Sequence, residues 1–222
     1  MEYISIFLVS FIIAFTGALT PGPLLTLVVA KSLEYGRKAG PVIIGGHAAL
    51  EIVIVCILVL GLGKIINSPA VVKTISTGGA LILIFFGISI INSIPEVSFN
   101  ISAERYGASA TLFFQGITMS IANPYWTVWW LTVGLGLLIT ARDMGIKGLS
   151  FFFTGHILAD LIWYSFVSYS IGKSKRIISQ NIYRKILVVC GLILILFGLY
   201  FGIFTLCKGY YQNDLSNGAI TL

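Results

Sequence analysis

Charge is what this chain has least of. Eight acidic and fourteen basic side chains are spread over 222 residues, so only 10% of positions are charged, where a soluble domain carries roughly a quarter. That shortage excludes a water-soluble globule, because 57% of the residues are apolar and so small a domain has too little interior to hide them. Cysteine is scarce too. Cys56, Cys190 and Cys207 are scattered and form no C-x-x-C, which argues against a redox pair or a zinc knuckle and leaves them as small packing residues. No short alternating strands occur, so a β-barrel is excluded. The leader Met1-Glu2-Tyr3 has no basic region, and no small-residue cleavage site closes a short apolar core. The first apolar block therefore reads as a retained span.

What is present is a series of apolar blocks, each long enough to cross a bilayer, which takes about 20 helical residues. The spans are predicted at Tyr3–Leu33, Val42–Gly63, Thr74–Ile94, Ala108–Thr140, Leu149–Gly172 and Ile186–Cys207. The fold class is an all-α integral membrane protein. Its single six-span domain covers residues 1–208, and a polar tail occupies 209–222. The net charge of +6 belongs to the connections and calls for no nucleic-acid partner. Nine basic residues fall in one set of alternate connections and five in the other. Lysine- and arginine-rich loops stay cytoplasmic, so both termini are expected outside, in the cytoplasmic membrane of a prokaryote.

Two related halves are visible. Gly46-His47-x-x-x-Glu51 matches Gly155-His156-x-x-x-Asp160 at an offset of 109, and these are the only histidines in the chain. Leu81–Gly87 resembles Leu192–Gly198 at an offset of 111, and Thr20-Pro21 pairs with Asn123-Pro124 at 103. The halves, 1–95 and 106–208, hold three spans each. An odd number reverses the second half in the membrane, which is the inverted repeat of many secondary transporters.

Spans 1 and 4 are too long for straight helices. Span 1 would measure about 45 Å against a hydrocarbon core of about 30 Å. Pro21-Gly22-Pro23 and Asn123-Pro124 are expected to break them, because proline lacks an amide hydrogen and clashes with the preceding turn. Broken backbone at membrane depth is tolerated only inside protein or a wet cavity, and the amides of a helix starting there attract a carboxylate. Thr20, Pro21, Gly22, Pro23, Asn123, Pro124 and Tyr125 are therefore candidate substrate-binding residues. Trp129 and Trp130 are expected to approach the outer interface as anchors. The glycines Gly40, Gly45, Gly46, Gly61, Gly63, Gly134 and Gly136 suit close helix packing.

Glu51 and Asp160 fall near the bilayer midplane, where an acid costs about 2.5–3.5 kcal/mol and usually faces a partner or a pathway. His47 and His156 lie one turn away on the same helix faces, His47 toward the cytoplasm and His156 toward the outside. The four form a string of titratable groups, and removal from water disfavours the charged form of each. They are candidates for proton coupling. They also suit a divalent cation, which keeps a metal transporter open as the alternative, although the H-E-x-x-H pattern of zinc hydrolases is absent. No Ser or Cys nucleophile is placed beside a histidine base, so an enzyme is not expected, and no cofactor is implied.

The Thr20-Pro21-Gly22-Pro23 break, the Lys31–Gly40 connection with Gly36, Arg37 and Gly40, the glycine-rich opening of span 2 ending at Glu51, and the Asn123-Pro124 break together resemble the lysine exporter family, the LysE/RhtB-type amino-acid translocators. The resemblance covers essentially the whole chain. It implies export of amino acids driven by the proton gradient, with a small molecule, protons and lipid as partners. Self-association stays open. His47 and His156 depart from many members of the family. A resemblance to six-span thiol-transfer proteins fails, because Gly22 stands where they need a cysteine.

Overall fold

The computed structural model of the chain describes residues 2–61, 69–92, 109–174 and 179–216. All regular structure among them is helical. Helix α1 (Glu2–Leu19) stops just before Pro21, and α2 (Pro23–Tyr35) starts with Pro23 in its first turn, where a missing amide hydrogen costs nothing. A 3₁₀ turn at Gly36–Lys38 leads into α3 (Ala39–Val59). Gly36 has φ +77°, a left-handed value that an L side chain resists, and this sharp corner closes α2. Helix α4 (Pro69–Asn92) completes the first half.

The second half begins with α5 (Ser109–Ile121), which Asn123-Pro124 ends, and α6 (Pro124–Trp129) restarts on that proline. A π turn (Trp130–Gly134) joins α6 to α7 (Leu135–Asp143). Helices α8 (Gly145–Ser174) and α9 (Gln180–Ser216) follow. Helix α9 runs well into the stretch expected to be a polar tail.

Five helical stretches among the described residues are long and apolar enough to cross a membrane: Glu2–Leu19, Pro23–Val59, Lys73–Asn92, Gly145–Lys173 and Gln180–Ile203. The count differs from the six blocks read in sequence for a physical reason. The first break hands α2 to α3 through the 3₁₀ corner, and the second divides the fourth block into α5, α6, the π turn and α7.

Packing is intimate where glycine allows it. Helix α1 lies along α8, α3 along α5, and α4 along α9. A Cβ on Gly155 would collide with the Phe7 carbonyl, one on Gly46 with the Phe113 carbonyl, and one on Gly116 with the Ile43 carbonyl. Gly87 and Gly191 face each other's carbonyls, and Gly198 faces that of Ala80. Of the other glycines expected at contacts, Gly40 packs against Tyr164 and Ser168 and Gly134 against the two indoles before it, while Gly136 meets nothing. Gly63 lies outside the described residues.

The surface is inverted relative to a soluble protein. Ile4, Ile12, Leu81, Phe85, Phe166 and Leu196 are exposed, whereas Glu51, Asp160 and both histidines are buried. Apolar side chains that water would reject suit lipid, and the long helices present them outward. This is a multi-pass membrane protein.

Candidate functional site

The buried polar groups meet at one place. Helix α3 brings His47 and Glu51, and α8 brings His156 and Asp160, each pair separated by one turn. His47 Nε2 lies 3.0 Å from Glu51 Oε1 and 3.6 Å from Asp160 Oδ2. His156 Nε2 lies 3.1 Å from Glu51 Oε2 and 3.6 Å from Asp160 Oδ2. The expected string of four groups across the membrane is thus corrected to a single cluster. Helices α3 and α8 pack directly on one another, so both His–acid faces converge instead of running end to end.

Two indoles complete the cluster. Trp126 and Trp130 both donate their Nε1–H to Glu51 Oε1, at 3.1 and 3.0 Å. Trp130 is 0% exposed, and the Trp129 ring stands 4.9 Å from that of His156. The expectation that Trp129 and Trp130 anchor at the outer interface is therefore corrected. An indole N–H surrounded by hydrocarbon seeks an acceptor, and the buried Glu51 carboxylate supplies it. Gly134 makes the room, since a Cβ there would come within 2.7 Å of the Trp130 ring.

Ser120, which the sequence reading missed, fixes His47 from behind. Its hydroxyl lies 2.7 Å from His47 Nδ1 and 2.8 Å from the Gly116 carbonyl. A hydroxyl has one hydrogen. If Ser120 gives it to Gly116, His47 Nδ1 must donate to the serine. If Ser120 gives it to Nδ1, then Nε2 keeps the imidazole hydrogen. Either way a hydrogen must lie between His47 Nε2 and the carboxylates, because two bare acceptors at 3.0 Å would repel. His156 Nδ1 is buried with no hydrogen-bond partner among the described residues.

The cluster forms one wall of a cavity of about 310 Å³, at the small end for a small-molecule site. Thr20, Pro21, Gly22, Pro23, Asn123 and Tyr125 line it together with His47, Glu51, His156 and Asp160. Of the residues singled out in sequence, Pro124 is not in the lining; it starts α6. Leu24, Leu25 and Tyr164 line it as well and were not foreseen. The two helix breaks differ. No side chain caps α2, whose N-cap is Gly22. At α6 the Asn123 side chain accepts the Tyr125 amide at 3.1 Å, and the Asn123 carbonyl takes that of Trp126.

The family profile of the LysE type translocators matches residues 15–204, from the last turns of α1 into α9. The chain is also 26% identical over 193 residues to an uncharacterized membrane protein, YrhP, of Bacillus subtilis (strain 168), covering 82% of this chain and 91% of that one. No solved structure matches it. With both helix breaks and the buried cluster inside the matched residues, the chain belongs to the LysE type translocator family.

Proposed function

We propose that this translocator exports amino acids or similar small metabolites in exchange for protons. The observation that carries the reading is the cavity itself: titratable side chains from both halves form one wall of it, and the two helix breaks line it. A proton-coupled carrier needs a site where protons and cargo are felt together. Here at least one hydrogen is shared between His47 and the acids within reach of the cargo space.

The transport cycle invoked is alternating access in an inverted repeat of six spans, residues 1–95 and 106–208. Its support is the exchanged pairing of contacts. The first part of span 1 packs on span 5 as the first part of span 4 packs on span 2, and spans 3 and 6 pair with each other. Gly155 against Phe7 and Gly46 against Phe113 repeat the same contact in the two halves. The excess of lysine and arginine in alternate connections supports termini on the outer side of a prokaryotic cytoplasmic membrane. In the cavity, the uncapped first turn of α2 is the place for a cargo carboxylate, and the acids answer its ammonium group or the coupling proton.

A second reading, divalent-cation transport, rests on ligand atoms of His47, Glu51 and Asp160 that all lie within 4.8 Å of one another. Against it, Glu51 Oε1 already accepts two indole hydrogens. The readings part on chelator: a cation carrier binds metal when purified and loses it in His47→Ala, while amino-acid counterflow ignores chelator.

Proteoliposome counterflow over an amino-acid panel, with and without an imposed pH gradient, tests the proposal on wild type, Glu51→Gln and Asp160→Asn. Wild type accumulates cargo against its gradient when protons run down theirs. Normal proton coupling in both variants sinks the mechanism.

A further inference from the structure

The two acids of the cluster are not equivalent. Glu51 is served from several sides, by two indole N–H groups and two imidazoles. Asp160 has only the imidazoles, both 3.6 Å from Oδ2, and takes no other polar contact among the described residues. The cause lies in the broken helices. Trp126 and Trp130 stand two and six residues after Pro124, while the same steps after Pro21 fall on Pro23 and Leu27. One break carries two indole donors for Glu51. The other carries none for Asp160, and the space beside Asp160 is cavity, shared with Tyr164 one turn along α8.

We propose that Asp160, and not Glu51, holds the cationic nitrogen of the cargo, with the Tyr164 hydroxyl beside it, and that the cargo is a zwitterionic amino acid with an apolar or aromatic side chain. The inference rests on the transport reading above. Glu51 Oε1 already takes two indole N–H bonds and has little left for a further partner, and its Oε2 is wholly buried against His156 Nε2 at 3.1 Å. Asp160 is the acid whose remaining lone pairs face the cargo.

The side chain follows from the rest of the wall. Leu24, Leu25, Phe197 and Phe201 contribute apolar surface, and among the described residues no lysine or arginine lines the cavity. A cargo with a second carboxylate would bury that charge with only the two imidazoles, already engaged by Glu51 and Asp160, to answer it, which is costly. A second ammonium group would compete for Asp160 with the first. A neutral apolar side chain meets neither obstacle.

Direct binding to purified protein in detergent, with radiolabelled leucine and phenylalanine, tests this. Unlabelled lysine, glutamate and 4-methylpentanoate (leucine without its amino group) serve as competitors. Wild type is expected to bind leucine and phenylalanine, with the three competitors at least ten-fold weaker. Asp160→Asn should weaken leucine binding at least ten-fold, and Glu51→Gln should weaken it clearly less. Tyr164→Phe removes a hydroxyl but no charge, and should weaken binding three-fold or more. Unchanged binding in Tyr164→Phe overturns the placement of the amine even where Asp160→Asn does not fold. Equal losses in Glu51→Gln and Asp160→Asn overturn the division of roles, and competition by glutamate as strong as leucine's overturns the substrate class. Binding of no amino acid by folded wild type overturns the transport reading itself, which separates that failure from the others.

Discussion

Trp130 reaches from the start of the π turn to Glu51 on α3, its indole nitrogen 3.0 Å from Oε1, with both side chains almost wholly out of contact with solvent. The bond ties the second broken helix to the acid of the first half.

Removing that donor leaves a buried carboxylate short of a partner. Hydrogen bonds to charged groups contribute about 1.5–3 kcal/mol, so Trp130→Phe is expected to lower stability by that order while keeping most of the ring packing. Thermal unfolding in detergent measures it. The double variant Trp130→Phe with Glu51→Leu, which removes the acceptor, should cost less than the sum of the singles, because the two residues share one contact. Strict additivity would mean that the bond contributes nothing.

Much of this site was legible in the residues, and the part that was not has a clear cause. Pro21 and Pro124 announce the breaks because proline's lost amide acts locally, whatever surrounds it. His47, Glu51, His156 and Asp160 announce themselves because ionisable groups at membrane depth are rare. The roles of Trp126 and Trp130 depend instead on which way α6 faces after the break, and residue depth alone does not give that. Ser120 is an ordinary helix serine until α5 packs on α3 and places it behind His47. The spacing of the indoles, at 126, 129 and 130 directly after Pro124, was the signal available, since it puts all three on one side of a short helix.

The glycine contacts make a paired prediction. Gly46→Ala and Gly155→Ala each drive a methyl group into a main-chain carbonyl of the neighbouring helix, and backbone has no rotamer with which to yield. Overpacking of this kind costs about 1–3 kcal/mol or more. Both variants should melt lower or fail to accumulate as monodisperse protein in size-exclusion chromatography. Gly136→Ala, which meets nothing within 4 Å, should behave as wild type. Tolerance at Gly46 and Gly155 would contradict the close approach of α3 to α5 and of α1 to α8.

Ser168 makes a third. Its hydroxyl accepts from Ser32 at 2.8 Å and from the Gly40 amide at 3.0 Å, and it lies 3.1 Å from the Arg37 carbonyl to which it donates. One buried side chain of α8 thus ties the α2–α3 corner at three points. Ser168→Ala leaves the buried Ser32 hydroxyl and Gly40 amide without that partner, a loss of about 1–3 kcal/mol for an unsatisfied group. Hydrogen exchange should quicken at the Gly36–Gly40 corner before anywhere else. Unchanged exchange there would show that the corner is held by packing alone.

Gly17 separates stability from transport. It lines the cavity from α1, and a Cβ built on it meets only the Trp129 indole nitrogen, at an ordinary 3.8 Å. Alanine there should be accepted, and it raises helix propensity by about 1 kcal/mol, so Gly17→Ala is expected to melt no lower than wild type. Leucine at the same position starts from the same uncrowded Cβ but extends into the space where cargo sits. Gly17→Leu should fold, keep a near-native melting temperature and lose at least ten-fold in counterflow rate. The pair matters because variants of the polar cluster disturb fold and chemistry together, whereas a plug at Gly17 leaves every hydrogen bond of the cluster in place and fills volume available to cargo. Full transport by a folded Gly17→Leu protein would place the cargo path somewhere other than this cavity.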